Sequence, residues 1–217
     1  MPSRARTRRG VLVAALFLTL GLVADVFVLG DVAHAAPPSY VVVGDDPAVT
    51  GDQWGFHESY YSDLRTTITD PANFGPAGKV GAIYTIGAPR TLPLTSKSLD
   101  GVDVYFVSAR DISASEVTVI QAFIKRGGSL VINSNGPGFF DTTSWLGFTL
   151  STRLIFGDGP APYGTTHRAP APSTVVAAQA THPVVAGPFG TVSRFENGHS
   201  MAGFTTVPAG ATVLART

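Results

Sequence analysis

Residues 99–146 constrain the fold more than any other stretch of this 217-residue chain. Gly101-Val102-Asp103-Val104-Tyr105-Phe106-Val107-Ser108 has the near-continuous apolar character of a strand covered on both faces. Ser113 with Glu116 forms a capping box, in which serine and glutamate satisfy each other's orphaned backbone donors, so a helix starts there. Val117, Ile120 and Ile124 recur on one face of that helix, with Val119 and Phe123 widening it, and Gly127-Gly128 stops it after Arg126. Ser129-Leu130-Val131-Ile132-Asn133 follows at once as a second strand. Strand, helix and strand in this order predict one βαβ unit with parallel strands, and hence an α/β domain.

The flanking sequence extends the pattern. Tyr40-Val41-Val42-Val43 reads as another buried strand ending in the turn Gly44-Asp45-Asp46-Pro47. Trp54, Phe56, Tyr60, Tyr61, Leu64 and Ile68 fit a helix from Asp52 to Thr67 that stops at Asp70-Pro71, and Val80 to Ile86 alternates as a strand. A short helix is expected through Phe139, Phe140, Trp145 and Leu146, packed on the same sheet, and an extra strand within Thr149 to Phe156. Gly157 to Pro172 is dense in glycine and proline and reads as a surface loop. Val175-Val176 and Val192 are weak strand signals, and Ala211-Thr212-Val213-Leu214 a stronger one.

Residues 1–35 carry a different signature. Arg4, Arg6, Arg8 and Arg9 precede an apolar run from Val11 to Ala24, and Ala33-His34-Ala35 is a small-x-small cleavage site. Asp25 interrupts the apolar run before the roughly 20 residues that a membrane span needs. The segment therefore predicts an export signal over 1–35 and a mature domain over 36–217, secreted or held in the cell envelope and not membrane-bound after cleavage. Thr7-Arg8-Arg9-Gly10-Val11-Leu12 also matches the twin-arginine export pattern. The whole chain balances 15 basic against 15 acidic residues, so the basic footprint of a nucleic-acid binder is missing and no nucleic-acid partner is expected. It contains no cysteine, which excludes disulfides, thiolate chemistry and cysteine-ligated zinc.

The run Asp103-Val104-Tyr105-Phe106, the helix, Gly127-Gly128-Ser129-Leu130-Val131-Ile132, and the later Thr181-His182-Pro183-Val184 and Ala211-Thr212-Val213-Leu214-Ala215 resemble the class I glutamine amidotransferase-like superfamily. The likeness is to its non-glutaminase branches, such as trehalose-utilisation-like domains. It implies a mostly parallel flavodoxin-like sheet with helices on both faces. It also implies a last strand continuing past Ala215, so that the sequence reads as shortened or as a fragment with an uncovered sheet edge. In that family a strand-to-helix elbow presents a catalytic cysteine. Ser134 stands in the similar place here, and glutaminase activity is excluded because the thiol is missing.

Candidate site residues follow from this arrangement. Doubly wound sheets bind ligands beyond the carboxyl ends of their strands. Asp45 and Asp46 follow the first strand, Ser108, Arg110 and Asp111 the third, and Asn133, Ser134 and Asn135 the fourth. Asp45, Asp46, Arg110, Asn133 and Asn135 thus form the expected ligand-binding set for a carbohydrate or protein partner. The same residue types also serve turns, with Asp111 bonding locally near the helix start. A serine-based hydrolase centred on Ser134 is the competing reading, with His182, His199 and Glu196 as candidate base and acid, although Glu196-Asn197-Gly198-His199 also reads as a hairpin turn. Trp54, Phe56, Tyr60 and Tyr61 are read as core in preference to a sugar-stacking platform. His57, Glu58 and Asp52 do not converge on a helix and are read as surface residues. No Walker loop, dinucleotide fingerprint or HExxH motif is present, so neither a cofactor nor a metal is expected. The balance favours an exported, non-catalytic binding or cell-envelope accessory module, with a structural module of a larger assembly as a further alternative. Mass spectrometry of the exported protein is expected to find Ala36 as its first residue; retention of Met1 to Ala35 would remove the signal-peptide reading.

Overall fold

A computed structural model describes residues 36–50, 55–108, 110–132, 144–150, 154–156, 166–168, 172–195, 200–201 and 203–216. Strands β1 (Ser39–Gly44), β2 (Ile83–Ile86), β3 (Val104–Val107) and β4 (Ser129–Ile132) form one sheet in the order β2-β1-β3-β4, every pair parallel. Helix α1 is the single turn Pro47–Thr50, α2 spans Ser62–Thr69 and α3 spans Ala114–Lys125. The chain steps outward from β1 to β2 in one direction and from β3 to β4 in the other. Right-handed crossovers therefore put α2 and α3 on opposite faces. This is the α/β domain that the strand and helix pattern predicts, with the mostly parallel flavodoxin-like sheet that the resemblance implies.

Side-chain alternation confirms the two faces. Val43, Tyr105 and Val107 point to the α3 side and pack with Leu94, Leu99, Val102, Ile120 and Phe123, all buried. Phe106, between two of these in sequence, points the other way, where it stacks on Phe56 with ring centroids 4.5 Å apart and meets Tyr61 edge-on. Gly44 makes that contact possible, because a Cβ there would lie 2.6 Å from the Cβ of Phe56.

Helix α3 has the caps its sequence specifies. Ser113 and Glu116 make the reciprocal capping box, and Gly127 adopts φ +97° after the C-cap Arg126. Its buried face is rotated from the expected one. Glu116, Ile120 and Phe123 are buried, Val117 is half-buried and Ile124 is 39% exposed. The reason lies in Phe123, whose ring also packs so closely on Gly128 that a side chain there would overlap it.

Other expectations need correction. The helix expected from Asp52 to Thr67 is, in its described part, a turn at 55–58, a 3₁₀ turn at Ser59–Tyr61 and then α2; Phe56 is drawn out of helical register by its place under Phe106. Phe56 is core as expected, whereas Tyr60 is exposed and Trp54 lies outside the described residues. Val80 forms an isolated bridge with Phe74 before β2 begins. Of the helix expected through residues 139–146, Ser144–Leu146 is described as a 3₁₀ turn, and Trp145 packs against the core.

The C-terminal third adds small sheets. The stretch read as one strand from Thr149 to Phe156 is two, β5 (Thr149–Leu150) and β6 (Leu154–Phe156), in different sheets. Strand β7 (Thr166–Arg168) falls inside the expected loop and pairs with β6. Next come β8 (Ser173–Val175), the short hairpin of β9 (Ala186–Gly187) and β10 (Gly190–Thr191), β11 (Arg194–Phe195), β12 (Ser200–Met201) and β13 (Phe204–Thr206). The strand expected at Ala211–Leu214 is displaced to β14 (Ala215–Arg216), which pairs antiparallel with β8 and is no part of the parallel sheet.

Ile120→Ala is expected to cost about 2–4 kcal/mol of stability, the scale for emptying a buried aliphatic site, and Ile124→Ala under about 1 kcal/mol. Urea titration of both variants checks the rotated face, and equal losses would refute it.

Candidate functional site

Strand order reverses between β1 and β3, so the crevice of this sheet lies beyond their carboxyl ends. Asp45 follows β1 directly and is fully buried. Its Oδ1 accepts from the Tyr105 hydroxyl and, at 3.4 Å, from Arg110 Nη2. Its Oδ2 accepts from the Ser108 amide at 2.9 Å and from Arg110 Nε at 2.8 Å. Burial and the Asp45 charge both push the Tyr105 hydroxyl far above the ordinary tyrosine range, so it stays protonated and donates.

Arg110 continues the chain of charges. Its Nη1 lies 3.0 Å from Glu116 Oε1 and donates to the Asp111 carbonyl at 3.0 Å. Glu116 Oε1 also accepts from the Leu94 amide at 3.3 Å, while its Oε2 takes the Ser113 amide at 3.0 Å and the Ser113 hydroxyl at 2.8 Å. Burial works to raise the Glu116 pKa. The Ser113 amide and hydroxyl, the Arg110 charge and the Leu94 amide outweigh it and hold the carboxyl below its ordinary value. The capping-box glutamate thus also anchors the ion network, a double use that the spacing alone does not reveal.

Asp45 and Arg110, both named from sequence, are brought together, and each is engaged by the other. Asp46 sits on the opposite side of the strand end, where its Oδ1 accepts from the Ala48 amide at 2.9 Å. Asn133, Ser134, Asn135, Glu196 and His199 lie outside the described residues. His182 belongs to a turn at the start of the β9 region, and its Nδ1 accepts from the Val184 amide at 3.3 Å.

His57 is a correction. It is not a surface residue but half-buried, and its Nε2 accepts the Gly44 amide at 3.1 Å. Burial lowers its pKa, and the charges of Arg65 and Arg90 lower it further against the opposing Asp46 and Asp45. A neutral ring with its proton on Nδ1 fits this bond. A helical reading of residues 52–67 hides the site, because it points His57 outward. Tyr105 is legible in the sequence only as a strand residue, whereas Ser108 belongs to the strand-end polar set.

No family model matches the sequence, and no curated protein matches it. Among solved structures, a ThuA-like protein from Bacteroides uniformis superposes with a TM-score of 0.44 at 14% identity, covering 84% of this chain and 69% of that one. A likeness of that degree carries no argument, and the fold stands on its own strand order.

The network makes stability pH-dependent. A glutamate whose folded pKa lies below its unfolded value contributes stability that is fully present above the ordinary value near 4.5 and is lost as pH falls through the folded value. Glu116→Gln is expected to destabilise by about 1–3 kcal/mol at neutral pH, the scale for charged hydrogen bonds. It should also flatten the loss of stability below pH 4.5, as read by chemical denaturation at a series of pH values.

Proposed function

We propose that this chain is an exported, non-catalytic amidotransferase-like domain that works as a binding or cell-envelope accessory module for a carbohydrate or protein ligand. The observation that supports this reading is the use already made of the acids and bases at the crevice. A general base needs a free lone pair within reach of a substrate proton. Both oxygens of Asp45 and both of Glu116 hold protein donors, and the Nε2 lone pair of His57 holds a backbone amide. Groups engaged in this way brace a scaffold.

The composition adds to the case. Without cysteine the chain has no thiolate for the elbow position, and a serine there needs a base and an orienting group beside it. The basic and apolar leader over residues 1–35 supports export, and no helix among the described residues is long and apolar enough to cross a membrane. Hydrolysis centred on Ser134 is the alternative that a single experiment separates. A fluorophosphonate probe is expected to leave Ser134 unlabelled, while a glycan array probed with the exported protein is expected to show selective retention. Labelling that disappears in Ser134→Ala would overturn the non-catalytic reading.

A further inference from the structure

The turn at 55–58 lies against the carboxyl ends of β1 and β3 and closes on itself, the Glu58 amide donating to the Gly55 carbonyl at 2.9 Å. Three kinds of contact hold it there. Phe56, buried, stacks on Phe106 in the room that Gly44 leaves. Arg65 on α2 donates through Nη1 to the Phe56 carbonyl and, at 2.8 Å, to the Glu58 carbonyl. His57 takes the Gly44 amide on its Nε2 at 3.1 Å.

These contacts respond differently to a proton. An aromatic stack does not titrate, and a guanidinium keeps its charge at any pH the fold meets. The His57 bond, in contrast, needs an unprotonated nitrogen. An imidazolium carries N–H on both nitrogens, so on protonation one donor would face another at the Gly44 amide. Closure of the turn also carries a standing cost. Ser108 is 1% exposed, and its hydroxyl has no hydrogen-bond partner among the described residues. Gly55 sits so close above it that a Cβ there would lie 3.0 Å from the Ser108 Oγ and 3.1 Å from Glu58 Oε1. A buried hydroxyl left without a partner disfavours the closed turn relative to one that admits water.

We infer that the turn at 55–58 is an acid-sensitive latch on the strand-end crevice: protonation of His57 frees the Gly44 amide and loosens the turn over the Ser108 hydroxyl. The inference goes beyond the binding reading above and does not depend on it. Around the imidazole stand Arg65 on α2, Asp45 and Asp46 after β1 and Arg90 after β2, with Glu58 beside it on the turn itself. Strand β3 and the residue after it bring the uncharged Phe106 and Ser108 to the turn. Burial and the two arginine charges outweigh the two aspartates, so the closed turn favours the neutral ring. The latch therefore holds fully above the ordinary value of 6.5 and weakens as pH falls through the lower value of the folded protein. Phe56 keeps its stack and its Arg65 bond throughout, which confines the release to Gly55, His57 and the Gly44 amide.

The test follows the full chain by NMR from above pH 6.5 downward, reading the His57 imidazole resonances and the hydrogen exchange of the Gly44 amide. The Ile120 amide, in the middle of α3, is the reference. His57 is expected to titrate below 6.5. Protection of the Gly44 amide, taken relative to an unstructured amide at the same pH, should fall over the same interval, by about tenfold for each pH unit between the two values. Gly44 should exchange faster than Ile120 throughout, because the turn opens without unfolding of the domain. His57→Phe keeps a ring beside Phe56 but offers no acceptor, so its Gly44 protection should be low and constant across the interval. Any of four results overturns the latch. Three are read on the unmodified chain and stand whether or not the variant folds: His57 titrating at or above 6.5, Gly44 exchanging at the Ile120 rate, or protection that is constant while His57 titrates and drops only below 4.5, where Glu116 responds. The fourth is pH-dependent Gly44 protection that persists in a folded His57→Phe.

Discussion

A fully buried carboxylate holds this fold together at the carboxyl end of its parallel sheet. Asp45 ends β1, and its two oxygens take hydrogen bonds from a hydroxyl and a guanidinium on one side and from an amide and the same guanidinium on the other. Burying such a charge alone is prohibitive, and a partner arginine with further donors is what makes it tolerable. The same arginine then reaches Glu116, which caps α3 and also receives the Leu94 amide from the β2–β3 connection. Four separate pieces of chain are thereby fixed relative to one another: the ends of β1 and β3, the start of α3 and the loop before β3. Apolar packing of Val43, Tyr105, Val107, Ile120 and Phe123 supplies the non-directional part of the stability. The ion network supplies direction, because it is satisfied only when these segments meet in one geometry.

Much of this architecture is legible in the residues. Val41 to Val43 and Val104 to Val107 are apolar on both faces because helices cover both, and Ser113 with Glu116 fixes the helix start by a bond pattern that depends on local spacing alone. Those signals are local, so sequence carries them. The buried face of α3 is not local. Ile124 has the spacing of a core residue, yet Phe123 takes its place because a large ring fills the space over Gly128. Likewise, Phe56 leaves the helical pattern of its neighbours because Gly44, twelve residues earlier, makes room for it beneath Phe106. The small sheets of the C-terminal third pair strands of two or three residues, too short for alternation to mark, and β14 pairs with β8 at a separation of about 40 residues.

The candidate site shows the same division. Asp45 and Arg110 are recognisable as strand-end polar residues, but that each is the other's partner emerges only from the register that aligns Gly44 with Phe106. His57 is hidden for the opposite reason: its neighbour Phe56 drags the turn against the sheet and brings the imidazole onto the Gly44 amide. Arg90 carries no local signal at all. Its position depends on a bridge between the end of β1 and the segment after β2, which no spacing in the sequence encodes.

That contrast gives the two faces of the crevice different chemical prospects. A group that donates or accepts within a closed network is held in one protonation state, as Tyr105 is, and ligand exchange would have to break charged hydrogen bonds in a site of low polarity. The α3 side is therefore suited to fixing geometry. On the α2 side the buried Ser108 hydroxyl has no hydrogen-bond partner among the described residues, and burial with the charges of Arg65 and Arg90 holds the His57 pKa below its ordinary value. Rigidity on one face of the sheet also orders the other, because the Ser108 amide that clamps Asp45 fixes the backbone from which the Ser108 hydroxyl extends.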